Sequence, residues 1–394
     1  MLARATLSTS GSSRALTAEP VTAPIWSPPT PRPHGALPAS ADVVVVGGGI
    51  TGVCALHWLA RRGVGAVLLE RDHLAAGASG RNAGFLLMGV AANYAQAVRT
   101  YGRETAREAW EFTAENHALL AALLGGRAGY ARRGSLTLAA SAEEADLLRE
   151  SEALLREDGL PGRWIDGDAP GLRNDADGEV NPAAAVAAIA GGVDGAIMFE
   201  GVAVQAVEPS GDSVRVHTRD GEIRAGMVLL ATNADTAALA PSVPIAPVRA
   251  QMLATAPSTQ RVAQQPTYSH WGYRYWRQRD DGCVLLGGWR DTAVEDEVGT
   301  EAVPTQRVQS QLDAQLARMG VTAAVTNRWA GIMGFSPDEL PLVGAVPALR
   351  NVVVCGGYTG HGMGFAVNAT RCLVANMVDG EPLPPWLRAD RLPC

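Results

Sequence analysis

The chain has 394 residues, of which 47% are hydrophobic and 19% charged, and it carries a net charge of −7. That balance belongs to an ordinary globular protein long enough for two domains, not to a disordered or fibrous chain. The acidic excess and the lack of a basic run argue against a nucleic-acid partner, and no uncharged apolar stretch is long enough to predict a membrane span.

Residues 1–40 are rich in Ser, Thr, Ala and Pro, with Glu19 as their only acid. The composition is like that of an organellar transit peptide, but it lacks the continuous apolar core of a secretion signal. The better reading is a disordered start, then a proline-stiffened arm over 24–33 pinned by Trp26, in a cytoplasmic protein.

The stretch 41–71 (ADVVVVGGGITGVCALHWLARRGVGAVLLER) reads as a dinucleotide-binding βαβ unit. Asp42 to Val46 is the short apolar run of a fully buried parallel strand. Gly47, Gly49 and Gly52 then supply G-x-G-x-x-G where strand gives way to helix. The first glycine allows the tight turn, the second lets backbone approach a pyrophosphate, and the third lets helix and strand pack closely. Ile50 and Thr51 lie in the first helical turn, whose amides and dipole would face that pyrophosphate. Val64 to Leu69 is the second strand, and Glu70 ends it 18 positions beyond Gly52, where a ribose-binding carboxylate belongs.

Downstream, 76–90 is small and polar, then apolar. Residues 93–158 have helical spacing, interrupted by a strand at 134–139. Short alternating segments over 195–234 predict a β-meander and a buried strand. A second β-rich region spans 245–290 and includes YSHWGYRYW at 268–276. A buried strand at 351–357 leads into a second glycine-rich turn and helix over 358–380. Two nucleotide-type units at opposite ends of the chain predict one discontinuous domain, 41–88 with 181–240 and 341–380. The substrate domain would take 89–180 and 241–340, leaving a tail over 381–394.

The fingerprint alone serves NAD and FAD equally. Several motifs in fixed order go further: VVVVGGGITG with LLER, GASGRNAG at 77–84, PVRAQMLAT at 247–255, YWRQRDDGCVLLGG at 275–288, WAGIMGFSPDELPLVG at 329–344 and GGYTGHGMG at 356–364. Across 24–380 the chain resembles the D-amino acid oxidase / glycine oxidase superfamily of amine-oxidising flavoproteins, most of all its γ-glutamylputrescine oxidase-like branch. The resemblance implies an α/β fold: a discontinuous Rossmann domain of the glutathione reductase type for FAD, and a substrate domain on a mostly antiparallel sheet plus helices. It places Glu70 on the adenosine ribose, Arg71 along the adenine, and the backbone of Val204 against the adenine. Ser79, Gly80, Arg81, Asn82 and Gly84 would meet the pyrophosphate and the isoalloxazine edge, with Thr232 near the diphosphate. Gly357, Gly360, His361, Gly362, Met363 and Gly364 would line the flavin's pyrimidine end, with a helix starting near Phe365.

Three departures from the family matter. Glycine-oxidase-like members carry an arginine for the substrate carboxylate where this chain has Met333, and methionine cannot pair with a carboxylate. Arg249, Arg274, Arg277 or Arg290 would have to replace it. Monomeric sarcosine oxidases attach their flavin to a cysteine where this chain has Gly331, and the flavin-linking histidine of dimethylglycine dehydrogenases is also missing, so the FAD is expected to be noncovalent. Finally, all 33 basic residues are arginine. That excludes any step needing a lysine, including the lysine those sarcosine oxidases place beside the flavin at the position of Leu285.

On the substrate side, His270 to Trp276 read as one strand, on which Trp271, Tyr273 and Tyr275 would share a face as an aromatic wall for an alkylammonium. A packing role for these aromatics is an equally good reading. His361 is the best histidine candidate for a flavin or substrate contact, and Arg277 the residue of choice among the arginines. Asp338 and Glu339, flanked by prolines, read as loop-shaping. Five cysteines with no C-x-x-C pair give no metal site and suit a reducing compartment, with Cys54, Cys355 and Cys372 in the core. The expectation is an FAD-dependent oxidation of a primary or secondary amine to an imine, with O2 or another electron acceptor. Rival readings are a flavin monooxygenase, whose G-D-x-x-H motif is replaced here by GYTGHG, and a non-catalytic flavoprotein.

Overall fold

A computed structural model describes residues 23–26, 35–195 and 197–392. The first sheet runs in the order β17 (Leu342–Ala345), β18 (Val352–Gly356), β11 (Gly221–Leu230), β1 (Ser40–Val46), β2 (Ala66–Glu70) and β8 (Ile197–Glu200). From β11 the meander continues through β10 (Ser213–Thr218) to β9 (Val204–Ser210). The central strands are parallel, with Val44 paired to Val67 on one side and Val228 on the other.

The unbroken valine run of β1 follows from burial on both faces. Val43 and Val45 pack in the core of helices α1 (Ile50–Ala60) and α8 (Gly362–Asp379), with Leu56 and Leu373. Val44 and Val46 point the other way, into the core of the meander with Val214 and Ile223. Each such side chain contributes about 1.5–3 kcal/mol by leaving water. The indole of Trp58 ties α1 to α8, donating to the Val367 carbonyl at 3.1 Å.

The second sheet runs β16 (Val325–Phe335), β12 (Ala246–Thr255), β15 (Val284–Gly288), β14 (Arg274–Gln278), β13 (Thr267–Ser269), β4 (Ser135–Leu138), β6 (Gly171–Asn174), β5 (Arg163–Ile165). Its pairs are antiparallel except β13 with β4. Helix α7 (Gln306–Arg318) covers one face through Val308, Leu312 and Leu316. Helices α2 (Tyr94–Tyr101), α3 (Arg103–Leu124) and α4 (Ala142–Glu157) fill the predicted helical region. A ribbon of β3 (Phe85–Leu86) and β7 (Gly178–Glu179), with α5 (Pro182–Ala190) and the short α6 (Thr236–Leu239), completes the α/β architecture.

Two element boundaries differ from expectation. Residues 268–276 are not one strand but the hairpin β13–β14, turned at His270 and Trp271, which take left-handed φ values of 54° and 58°. Helix α8 begins at Gly362, three residues before Phe365. The expected disordered start and most of the proline arm lie outside the described residues. Trp26 itself is buried, and its indole donates to the Asn82 carbonyl at 2.7 Å.

Candidate active site

A cavity of about 800 Å³ is lined by the glycine turn after β1, the N-terminus of α8 and the second sheet. Its glycine turn is built as the fingerprint requires. Gly47 takes φ +110°, and a Cβ there would stand 2.7 Å from the Ala231 carbonyl oxygen. A Cβ on Gly49 would meet Ser79 Oγ at 2.9 Å, and one on Gly52 would lie 1.8 Å from the Gly47 carbonyl oxygen. Gly52 is therefore a packing residue behind the cavity, and Gly47 and Gly49 form its surface.

The amides of this turn are partly engaged. Ile50 N–H donates to Ser79 Oγ at 2.9 Å. Glu70 accepts from Gly48 N–H at 2.6 Å and from Asp72 N–H at 2.9 Å. Burial pushes the Glu70 pKa up, and the two backbone donors oppose that rise. The Thr51 and Tyr358 hydroxyls lie 2.9 Å apart, and Cys355 Sγ is 3.2 Å from the same phenol, so α1 and the strand before α8 are locked together. At the rim Arg71 pairs with Asp235 at 3.0 Å, beside Val204 and Thr232.

In the 77–84 loop, Ser79, Arg81 and Asn82 line the cavity, whereas Gly80 and Gly84 do not. Those two sit against backbone: a Cβ would lie 2.2 Å from the Ala75 carbonyl oxygen or 2.1 Å from that of Val180. Asn82 shapes the loop, donating to the Ala78 and Ser79 carbonyls and accepting Gly84 N–H. Arg81 donates to the carbonyls of Ala76 and Ala330, and burial lowers its pKa. A Cβ on Gly331 would stand 2.9 Å from Arg81 Cβ, so the position that holds a flavin-linking cysteine elsewhere is needed bare here.

At the other end, Gly360, His361, Gly362, Met363 and Gly364 line the cavity, while Gly357 lies behind it and donates its N–H to Asn233 Oδ1 at 3.0 Å. His361 Nδ1 lies 3.3 Å from the Thr359 carbonyl oxygen, and burial lowers the imidazole pKa. Met333 faces Gly360, with Sδ 3.3 Å from where a Cβ would be. The aromatic wall is present with different members. Tyr268 and Tyr275 face each other across the hairpin at 5.9 Å between centroids, and Phe85 packs on Tyr268 at 5.3 Å. Trp271 and Tyr273 reach the cavity from the turn, not from a shared strand face.

Arg277, expected on the substrate side, does not line the cavity. Its guanidinium is buried outside the cavity lining, 3.4 Å from Glu179, donating to the Gly84 carbonyl and lying 5.3 Å from the Trp26 ring centroid. Arg249 and Arg274 are likewise committed, to Glu297 at 3.0 Å and to Asp291. Leu285 is fully buried and away from the cavity lining. Cys372 is only partly buried, unlike Cys54 and Cys355, which lie in the core as expected. Asp338 shapes its loop as expected, accepting both arms of Arg391 at 2.8 Å.

Sequence reasoning missed Asp177. It lines the cavity on the link between β6 and β7 and accepts Met88 N–H at 2.9 Å and the Ser135 hydroxyl at 2.6 Å. Burial pushes its carboxyl up to about 7. No motif marks it, and its burial arises only from the three-dimensional fold. Among the described residues no cluster of His, Cys, Asp or Glu is placed to hold a metal, and no helix is long and apolar enough to cross a membrane.

The site fits FAD. The Gly47–Gly49 surface leaves room at a helix N-terminus for a pyrophosphate, and Glu70 keeps lone pairs free for ribose hydroxyls beside its two amide donors. Thr359 Oγ1 is buried at the α8 end of the cavity with no hydrogen-bond partner in the described protein, a polar atom that a donor or acceptor of the cofactor would satisfy.

Comparison with known proteins agrees with this. The chain is 27% identical over 357 residues to a probable oxidoreductase OrdL of Rhizobium meliloti (strain 1021), covering 83% of this chain and 80% of the relative. It is 25% identical to the 4-methylaminobutanoate oxidase (formaldehyde-forming) of Paenarthrobacter nicotinovorans, spanning 90% of this chain but only 45% of that longer protein. The fold superposes on the crystal structure of glycine oxidase from Geobacillus kaustophilus with a TM-score of 0.75 at 22% identity, covering 88% of this chain and 96% of the other. Residues 42–375 match the FAD dependent oxidoreductase family (DAO), and the chain belongs to that family of FAD flavoproteins.

Proposed function

We propose that this oxidoreductase oxidises a primary or secondary amine to an imine that water hydrolyses: the carbon beside nitrogen gives up a hydride, which bound FAD would accept, as the nitrogen lone pair closes the C=N bond. The observation that carries the reading is one cavity joining the dinucleotide cradle at Gly47 to an aromatic compartment of Phe85, Tyr268 and Tyr275. Names among the similar proteins support it, since they include an oxidase of a methylamino acid and a glycine oxidase. The four described cysteines are free, which supports a reducing, cytoplasmic setting.

Bound FAD would supply the two-electron acceptor. Ser79, Glu70, Thr359 and the N-terminal residues of α8 would hold it, the helix pole favouring negative charge at that end. The aromatic rings attract a cationic amine and exclude water. An ammonium must shed a proton before it is oxidised, and the Asp177 carboxylate, titrating near 7, is matched to accept it. Met333 takes the place of the family's carboxylate-binding arginine, so glycine, sarcosine and D-alanine lose their usual anchor.

The test is product analysis. Purified holoenzyme is incubated with a panel of primary and secondary amines and an artificial electron acceptor, and the carbonyl product is trapped with a hydrazine. Carbonyl formation from at least one amine, in proportion to acceptor reduced, is expected. Acceptor reduction without any carbonyl product would overturn the reading.

A further inference from the structure

We propose that the cavity has a closed apolar arm, running from Tyr268 across β4 and β6 beneath α4, that takes an unbranched alkyl substituent of the substrate. The inference rests on the reading of the cavity as an amine site, and it names the class of amine: one bearing a chain of several carbons with no charge at its far end.

The floor of the arm is a row of side chains across four neighbouring strands. Tyr275 stands opposite Tyr268, Tyr268 opposite Thr137, and Thr137 opposite Leu172. All four line the cavity, which therefore follows one face of the second sheet. The row leads away from the dinucleotide cradle, whose Arg81 touches the sheet at its other end by donating to the Ala330 carbonyl on β16. Neighbouring strands lie about 4.8 Å apart, so the two spacings beyond Tyr268 give about 10 Å, the length of roughly an eight-carbon chain.

The roof is one face of α4. Glu144, Leu148 and Leu155 fall on the same side of that helix, and all three line the cavity. Contacts at both ends lay the helix along the row. Glu144 accepts Trp271 N–H at 2.7 Å, just beyond β13. About 16 Å further along the helix axis, Leu155 comes down beside Leu172. A Cβ on Gly162 would lie 2.7 Å from Leu155 Cδ1 and 3.7 Å from Leu172 Cδ1, so roof and floor meet there and close the arm.

The polar groups along the arm are engaged within the protein. Glu144 also accepts Ala140 N–H at 2.8 Å, so both of its carboxylate oxygens hold backbone at the start of α4. Ser135 donates its hydroxyl to Asp177 at 2.6 Å, and Asn174 Oδ1 accepts Ala176 N–H at 2.9 Å. A chain entering the arm is met by Leu148, Leu155 and Leu172 and need satisfy none of these polar atoms. Burial of its methylene groups against those leucines is the only gain on offer, and that gain grows with chain length until the arm is full.

The test is a chain-length series. Unbranched primary alkylamines from ethyl to dodecyl are titrated by calorimetry into enzyme whose FAD has been photoreduced, so that it cannot accept a hydride. Affinity should rise about fourfold per methylene and level off at roughly eight carbons. Thr137→Phe sets a ring across the floor and should flatten the rise. FAD content and far-ultraviolet circular dichroism check that the variant folds, and the wild-type series stands without it. A flat wild-type series, a rise that continues to dodecyl without levelling, or a rise that a folded Thr137→Phe leaves unchanged would overturn the inference. The last two are what adsorption of chains to the protein surface would give. Bleaching of the oxidised flavin by the same amines, without air, is read separately. Bleaching with no chain-length preference defeats the arm alone. A preference that levels off, with no bleaching by any amine, defeats the amine reading and leaves the arm standing.

Discussion

Glu70 does two jobs, and removing it separates them. In the protein alone its carboxylate accepts Gly48 N–H at 2.6 Å and Asp72 N–H at 2.9 Å. Gly48 is buried and Asp72 exposed, so only the first amide stays without an acceptor when the side chain is cut back. A hydrogen bond to a charged group contributes about 1.5–3 kcal/mol, and the Asp72 amide recovers most of its share from water. Glu70→Ala should therefore destabilise the FAD-free protein by about 2 kcal/mol. It should also weaken FAD binding by roughly tenfold to a hundredfold through the lost ribose contact. Glu70→Gln retains an acceptor for Gly48 and should recover about half of the stability and less of the FAD affinity. Urea unfolding of the FAD-free protein and fluorescence titration with FAD read the two effects independently. Weakened FAD binding with unaltered stability would show that the carboxylate does not hold the turn. Unaltered FAD binding would show that the ribose is held elsewhere.

Three further outcomes follow from the geometry. Acid precipitation should release all the yellow colour to the supernatant, because Gly331 offers no side chain and a Cβ there meets Arg81 at 2.9 Å; flavin retained in the pellet contradicts this. Asp177, with its carboxyl raised to about 7 from an ordinary 3.8, binds its proton more tightly folded than unfolded. Its contribution to stability is thus present at low pH and lost as pH climbs toward 7, so Asp177→Asn should flatten the melting temperature across that window and remove a rise in kcat/KM near pH 7. A pH profile unchanged by the substitution rules Asp177 out as the base. Gly52→Ala places a methyl 1.8 Å from the Gly47 carbonyl oxygen, backbone against backbone, and should cost on the order of 3 kcal/mol in chemical denaturation; a loss below 0.5 kcal/mol, a threshold set by the usual scatter of neutral substitutions at about that size, would show that the helix simply moves aside.

The βαβ unit was legible because its information is local. Glycine spacing, an apolar run and a terminal acid specify strand, turn and helix within about 30 residues. The motif at 356–364 was legible for the same reason, and those residues do line the cavity apart from Gly356 and Gly357. Orientation of the second sheet was not legible. Arg277 and Tyr275 lie on the same five-residue strand, yet one is sealed against Glu179 and the other opens onto the cavity. Alternation misled at 270–273, because His270, Trp271 and Gly272 take left-handed conformations in succession, and only at Gly272 is the residue one that favours it. Asp177 was invisible because its raised pKa is a property of burial among residues distant in sequence. Conversely, Gly80 and Gly84 were recognised as necessary but assigned to the ligand, when their lack of a side chain serves the packing of backbone on backbone.

The most direct measurement is an anaerobic titration of the purified flavoprotein with single amines, following the absorbance of the oxidised flavin. Glycine, sarcosine, D-alanine and a set of larger primary and secondary amines are compared at matched concentrations. Oxidation of a C–N bond predicts that at least one amine bleaches the flavin, with the larger amines ahead of the three small amino acids because Met333 replaces their anchor. A flavin that no amine bleaches, or one reduced fastest by the small amino acids and unimproved by Met333→Arg, would contradict the account.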